Sequence, residues 1–193
     1  MRAAALCALS VVLLGCSAST SPTAAVGPAS SSRTGPVISA PPTSATPPGA
    51  LGPFACNDVT ANSAGTARVT DVRVYNAVGY DEFVLQFDGP VPSYAIKRQA
   101  KPIFAQSPSG QPLTLSGTSG VLVSVNNAHA SATYAAGTDF TKADFPVLKE
   151  ARLLEDFEGH VQWGLGLGSA ACLRVTVATG PARLVVDFQT PSS

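Results

Sequence analysis

A two-residue alternation of apolar and polar side chains recurs through residues 70–188 and constrains the fold more than any other feature. In the stretch TDVRVYN, Val72 and Val74 lie on one side of an extended chain, and Asp71 and Arg73 lie on the other. This is the period of a β-strand that buries one face. Six segments share it: 70–76, 81–89, 93–99, 120–127, 172–179 and 182–188. Their β-branched and aromatic content, and the Gly and Pro between them, predict an all-β domain folded as an antiparallel sandwich or barrel.

Residues 146–157, PVLKEARLLEDF, fit two patterns. Their spacing allows either a helix with an apolar stripe or a strand that turns at Glu155 and Asp156. We predict the strand, because the surrounding segments are all β. For residues 139–145, DFTKADF, we predict a single helical turn.

Residues 1–15 have the pattern of a secretory signal peptide. Arg2 precedes an uncharged apolar run over 3–14, which is shorter than the roughly 20 residues of a membrane-spanning helix. Residues 13–16, LLGC, resemble the lipobox of bacterial lipoproteins, although the family more often has Ala, Ser or Thr in place of Leu14. An ordinary signal peptide that is cleaved elsewhere is the alternative.

The resemblance to a lipobox implies that Cys16 becomes the first residue of the mature protein and carries diacylglycerol. Each buried methylene of an acyl chain contributes about 0.8 kcal/mol, so two or three chains hold a protein firmly. We therefore expect a lipid anchor on the extracytoplasmic face of the cell membrane, with the membrane itself as a partner.

Residues 16–53 are predicted to be the lipidated cysteine followed by a disordered tether. They hold eight of the sixteen prolines and one charged residue, Arg33, among Ser, Thr, Ala and Gly. Such a segment buries too little apolar surface to offset the entropy of ordering. The tether leaves residues 54–193 as one folded domain, which is long enough to bury a core.

The predicted domain carries twelve acidic and ten basic residues, for a net charge of −2. A nearly neutral domain has no electrostatic footprint for nucleic acid or for an anionic lipid surface. We therefore expect no nucleic-acid partner.

Two of the four cysteines remain for the domain, because Cys7 lies in the signal peptide and Cys16 takes the lipid. Cys56 and Cys172 lie near the two ends of the domain, and in an oxidising compartment they most simply form one disulfide. The alternative, a metal site with two thiolates, lacks a C-x-x-C pair and a nearby histidine. We predict the disulfide and no metal.

Residues 164–168, GLGLG, superficially resemble a nucleotide-binding loop. That chemistry needs a helix N-terminus after the glycines, and the following residues, SAACLRVTVATG, predict a strand. We expect no cofactor; the glycines should let the strand bend, or let a neighbouring backbone or the disulfide approach closely. Trp163, together with Val161 and Leu165, is predicted to belong to the core.

The sequence offers little for hydrolytic catalysis. Its two histidines, His129 and His160, lie in neither a G-x-S-x-G elbow nor an H-E-x-x-H helix. His160 and Glu158 would share a strand face as ordinary neighbours. We therefore predict that the protein is not an enzyme, with a hydrolase as the remote alternative.

The order of the segments resembles the AMIN-like domain of actinobacterial secreted proteins and lipoproteins. The resemblance covers residues 66–190, and its most specific pieces are GYD at 79–81, FEGHVQWG at 157–164 and RLVVD at 183–187. It implies a β-sandwich in the cell envelope. The related AMIN domain of cell-wall amidases binds peptidoglycan, whereas the AMIN-like group brings no defined activity.

Binding to a cell-wall glycan is the leading hypothesis. Sugar recognition pairs an exposed aromatic ring with neighbouring amide, carboxylate or guanidinium groups. The domain offers five aromatic residues with such neighbours: Tyr75, Tyr80, Tyr94, Tyr134 and Trp163. The candidate binding residues are Tyr80, Asp81, Arg98, His160 and Gln162. The alternative is a scaffold or accessory lipoprotein that binds another envelope protein, for instance through a sheet edge.

Overall fold

The structure is a computed structural model that describes residues 51–130 and 137–191. The predicted signal peptide, Cys16, most of the predicted tether and Tyr134 lie outside these residues. The described chain forms thirteen β-strands and no helix, which confirms the all-β prediction. It accordingly contains no helix that could span a membrane.

Eleven strands form two sheets, and the other two form a hairpin. The first sheet contains, in spatial order, β1 (Val59–Ala61), β4 (Tyr94–Gln99), β7 (Ser119–Asn126), β11 (His160–Leu167), β10 (Leu148–Phe157) and β9 (Asp139–Thr141). The second contains β12 (Leu173–Ala178), β13 (Ala182–Gln189), β3 (Tyr80–Phe87), β2 (Ala67–Ala77) and β8 (Ala128–Ala130). The hairpin pairs β5 (Ile103–Gln106) with β6 (Gln111–Thr114). Paired strands are antiparallel, except that β2 and β8 are parallel.

The core lies between the two sheets and is built from the apolar side of the sequence alternation. Strand β3 contributes Phe83 and Leu85, and β13 contributes Leu184 and Val186, all fully buried. Because successive side chains of a strand point to opposite faces, the residues between them lie on the outside. The six alternating segments are the strands β2, β3, β4, β7, β12 and β13, and their packing confirms the sandwich.

Trp163 lies in this core, as predicted. Its side chain is 1% exposed, and its ring centroid lies 5.5 Å from that of Phe83 in the opposite sheet. A second ring, that of Phe140 on β9, lies 6.0 Å away. Such tilted aromatic contacts add to the stabilisation from burial alone.

Strand β10 confirms the prediction of a strand within residues 146–157. It does not turn at Glu155 and Asp156, so that detail of the prediction is wrong. The register of its pairing shifts after Leu153, and the strand continues to a turn at Glu158. A bulge of this kind absorbs an extra residue without ending the strand.

Residues 139–145 form a short strand and a tight turn, so the predicted helical turn is wrong. Strand β9 pairs with residues 150–152 of β10, and this pairing places Phe140 opposite Ala151. Phe140 also packs against the core between the sheets. Tertiary packing thus overrides the weak local preference.

The β5–β6 hairpin lies over the outer face of the first sheet and buries a second, smaller apolar cluster. Its members are Phe104, Leu115 and Leu154. Gly164 and Gly166 lie beneath this cover, where a Cβ atom on Gly166 would stand 2.2 Å from the carbonyl oxygen of Ser116. The close approach of a neighbouring backbone, one of the reasons predicted for the glycine run, is therefore confirmed.

Cys56 and Cys172 form the predicted disulfide, with their Cα atoms 4.2 Å apart. The bond joins the segment that leads into the domain to the residue before β12. Ala55 reinforces this link, because its backbone exchanges hydrogen bonds of 2.8 and 2.9 Å with that of Leu173. Residues 51–56 are thereby held at an edge of the second sheet.

Candidate functional site

The five residues predicted to bind a glycan lie in separate places. Tyr80 begins β3 on the outer face of the second sheet, and Asp81 follows it on the inner face. Arg98 lies at one end of the sandwich interior, at the end of β4. His160 and Gln162 share the outer face of the first sheet, so they are the only two that the structure brings together.

Asp81 is not available to a ligand, which corrects its prediction as a binding residue. Its side chain is completely buried. Its Oδ2 accepts hydrogen bonds from the backbone N–H groups of Val147 (2.6 Å) and Leu148 (2.8 Å), and its Oδ1 accepts one from the amide of Asn76 (2.7 Å). The carboxylate therefore ties the β2–β3 hairpin of one sheet to the start of β10 in the other.

His160 and Gln162 lie in a sparse row of polar groups on the first sheet. The His160 ring Nδ1 lies 2.9 Å from the amide oxygen of Asn126, and Gln162 stands opposite Ser124. The exposed aromatic ring nearest in register is Phe157, which lies opposite His160 at the end of β10. Glu155 stands opposite Gln162 on its other side, so this face combines polar groups and one carboxyl group with one ring at its border.

The outer face of the second sheet holds a denser set of polar side chains. They come from alternate positions of the neighbouring strands β2, β3 and β13, and they line a shallow cavity of about 40 Å³ with Val84 at its floor. We call this set the polar face: Asp71, Arg73, Tyr75, Glu82, Gln86 and Arg183. Because these residues stand on paired strands inside a sheet, their positions are set before a ligand arrives.

Tyr75 gives the polar face an exposed aromatic ring. The residue is 42% exposed, and its hydroxyl accepts a 3.3 Å hydrogen bond from Nη1 of Arg73. Arg73 in turn forms an ion pair with Asp71. These contacts orient the phenol and leave ring surface open for stacking.

A row of four side chains crosses the second sheet: Tyr75, Glu82, Asp187 and Arg174. Asp187 and Arg174 form a buried ion pair with a 2.7 Å contact. Burial raises the pKa of Glu82 above its ordinary value of 4.5, as does the negative charge of Asp187, while Arg183 and Arg174 lower it. The buried Oδ1 of Asp187 has no donor among the described residues unless Glu82 carries a proton.

Replacing Glu82 with Gln should stabilise the protein at pH 7. Because its pKa is raised, Glu82 binds a proton more tightly in the folded chain, and its contribution to stability is full below about pH 4.5 and lost as the pH rises through the folded pKa. The Gln amide supplies Asp187 with a permanent donor. We expect the free energy of unfolding to rise by less than about 1 kcal/mol at pH 7, because the half-buried carboxyl is screened by solvent. Urea unfolding should show no gain below about pH 4. A variant less stable than the parent at pH 7 would contradict the carboxyl pair.

Tyr80 is only partly available to a ligand, because its ring packs on Arg174. The guanidinium carbon of Arg174 lies 5.0 Å from the centroid of Tyr80 and 4.5 Å from that of Phe54. A guanidinium that contacts two rings is held by cation–π attraction. Tyr80 therefore helps to fasten the segment that carries Phe54, and Tyr75 is the ring left open.

The sequence pattern identified Tyr75 as a candidate ring but none of its polar neighbours. A signal was present, since Asp71, Arg73 and Tyr75 lie on the polar side of one alternating segment and Arg183 on that of another. Which polar sides adjoin depends on the pairing of β2, β3 and β13. One strand pattern does not contain that information.

The polar face suits binding better than metal coordination. Ring, carboxylate, amide and guanidinium groups can meet the apolar face and the hydroxyls of a sugar. In the part of the chain that the structure describes, no group of three His, Cys, Asp or Glu side chains could hold a metal ion.

A comparison with known families matches residues 67–190 to the family model of the AMIN-like domain. The match runs from the first residue of β2 to the residue after β13, and so covers both sheets apart from β1. No curated protein and no solved structure matches the chain.

Proposed function

The chain belongs to the AMIN-like family, and on that premise we propose that it is a lipid-anchored protein whose polar face binds a cell-wall glycan of the peptidoglycan type. An AMIN-like domain indicates an extracytoplasmic protein associated with the cell envelope. The lipid anchor and the glycan ligand are proposals that go beyond the family match.

The observation that carries the proposal is the exposed ring of Tyr75 among fixed polar side chains. A cavity of about 40 Å³ is too small to enclose a sugar, so a glycan would lie across the face. The ring of Tyr75 would stack on one pyranose, and Glu82 and Gln86 would bond to its hydroxyls. The face carries two acidic and two basic side chains, a balance that suits a polymer of low net charge.

Retention on insoluble peptidoglycan tests the proposal. The full chain, solubilised in a mild detergent, should sediment with purified peptidoglycan, and Tyr75→Ala should reduce its affinity by about tenfold or more, which corresponds to the loss of one stacked ring. Arabinogalactan, tested in parallel, distinguishes peptidoglycan from another wall polymer.

Phe157→Ala is the matched control, because Phe157 is the exposed ring of the other sheet and is 60% exposed. It should bind peptidoglycan as the parent does. Loss of retention in Phe157→Ala with normal retention in Tyr75→Ala would overturn the choice of the polar face. No retention on either polymer would overturn glycan binding itself.

The lipid anchor rests on the LLGC sequence that ends at Cys16. We expect the Cys16→Ala precursor to stay uncleaved and unlipidated in the producing bacterium, which gel mobility and metabolic labelling with a fatty acid would detect. A Cys16→Ala protein that is processed normally would contradict the anchor and favour an ordinary signal peptide.

A second candidate function is a scaffold for another envelope protein. The observation that favours it is a cavity of about 390 Å³ between the tip of the β5–β6 hairpin and β10, bordered by the exposed ring of Phe157. An envelope protein that co-purifies with the parent and is lost in Phe157→Ala would support it.

We further propose that binding is not followed by chemistry. The support is that the polar face lacks a histidine and that neither His129 nor His160 lines it. Release of soluble fragments from peptidoglycan by the parent, and not by His160→Ala, would contradict this.

A further inference from the structure

A cavity of about 280 Å³ opens at one end of the sandwich and shares no lining residue with the polar face. It lies between the chain that leaves β4 and the chain that leaves β11. Val121, Leu167 and Ala171 make it largely apolar, while Arg98 and Ser119 bring polar groups to its wall. Its size is close to the lower end of small-molecule sites, about 300–1,000 Å³.

Strand pairing explains why these side chains meet. Arg98 stands opposite Val121, and Ser119 stands opposite Leu167, in antiparallel pairs of the first sheet. All four point to the inner face, where β4 continues with the buried Ile96. The inner face thus changes from apolar to polar at the place where the interior opens.

Ser119 is a buried polar residue with an unmet hydrogen bond. It is 8% exposed, and its Oγ has no partner among the described residues. Buried polar atoms are almost always paired, so an unpaired one needs an explanation. As the side chain stands, Oγ is shielded from solvent, and rotation about the Cα–Cβ bond to another staggered position is the adjustment that a ligand requires.

Arg98 is held in place at the same opening. Its Nη1 donates to the carbonyl of Cys56 (2.6 Å), and its backbone N–H donates to Oδ1 of the exposed Asp58 (2.9 Å). A guanidinium has five N–H donors. Those on Nε and Nη2 have no acceptor within residues 51–130 and 137–191. Donors therefore remain for a ligand.

We propose that this cavity binds the carboxylate of a small organic acid that carries a short apolar group. The free N–H groups of Arg98 donate to the carboxylate, and the hydroxyl of Ser119 gains the partner that it lacks. Val121, Leu167 and Ala171 contact the apolar part. A single guanidinium in an apolar wall matches a monoanion better than a phosphate, which needs more donors.

Titration with butyrate and N-acetylalanine tests the site, with the corresponding amides as uncharged probes. Saturation-transfer NMR on the full chain in detergent should show saturable binding of an acid and much weaker binding of its amide. Arg98→Gln should lower the affinity for the acid by about tenfold or more, which is the usual loss for a hydrogen bond to a charged group.

Ser119→Ala distinguishes a loss of binding from a loss of stability. It should lower the affinity for the acid by about fivefold. The thermal midpoint of unfolding should stay unchanged or rise, because the substitution removes an unpaired buried hydroxyl. Lys101→Gln, which removes a nearby exposed cation outside the cavity, is the control and should bind as the parent does.

Three results would overturn the site: no saturable binding of either acid, equal binding of acid and amide, or unchanged binding in both Arg98→Gln and Ser119→Ala. Equal weakening by Lys101→Gln would assign the binding to general surface charge and would also overturn it. Because Tyr75→Ala alters the other face, this site and the glycan site fail or succeed separately.

Discussion

Replacing Asp81 with Ala should lower the free energy of unfolding by about 2–6 kcal/mol, because two buried backbone N–H groups each lose their acceptor at a cost of about 1–3 kcal/mol. The carboxylate accepts hydrogen bonds from the backbone N–H groups of Val147 and Leu148 in the interior. Without it, both donors lose their acceptor in the interior, where an unpaired polar group carries a desolvation penalty. Urea unfolding followed by the fluorescence of Trp163, the single tryptophan, measures the change.

Asp81→Asn is the matched control for the same position. The Asn oxygen can accept both backbone N–H groups, and the amide of Asn76 can turn to accept from the new NH₂ group. We expect a loss of about 1 kcal/mol. If Asp81→Ala and Asp81→Asn lost the same free energy of unfolding, the negative charge and not the acceptor geometry would be responsible. An Ala variant within about 1 kcal/mol of the parent would contradict the role given to Asp81.

Removing the disulfide by Cys56→Ser together with Cys172→Ser should lower the free energy of unfolding by up to about 4–5 kcal/mol. The bond joins residues 116 positions apart, and a long loop loses much entropy when it is closed in the unfolded chain. Urea unfolding with and without a reductant measures the effect. The reductant should destabilise the parent and leave the double variant unchanged. A parent insensitive to full reduction would contradict the prediction.

The strands could be predicted because their signal is local. Val72 and Val74, or Leu184 and Val186, alternate with polar residues over a few positions, and that period holds whatever the strand pairs with. The disulfide could be predicted because the hypothesis of a signal peptide and a lipidated Cys16 left only two cysteines for an oxidising compartment. Trp163 followed the same apolar side as its neighbours.

The wrong predictions concern residues whose burial or secondary structure depends on contacts with residues distant in the sequence. Asp81 follows Gly79 closely and has the local pattern of a turn residue. It is buried because Val147 and Leu148, more than sixty positions later in the sequence, pack against it in the folded chain. Likewise, residues 139–141 become a strand because β10 offers an edge. Both outcomes depend on tertiary contacts, which a local pattern does not contain.

The polar face lies between these cases. The sequence alternation places several of its members on the polar sides of separate segments, and Tyr75 is one of the aromatic residues that the sequence offers for sugar binding. The row from Tyr75 through Glu82 to Asp187 and Arg174 exists only once four strands pair in register. If any one of these strands shifted its register by one residue, its own member of the row would turn inward.

The link between Cys56 and Cys172 also governs how the protein carries mechanical load. Strands β1 to β11 lie inside a covalently closed loop, and only β12 and β13 lie beyond it. Tension applied to the chain outside Cys56 and Cys172 cannot draw out this loop, because the disulfide closes it. A force applied from the N-terminal side is therefore transmitted through the disulfide to β12. In the sheet, β12 lies two strands away from β3, which carries Glu82 and Gln86 of the polar face.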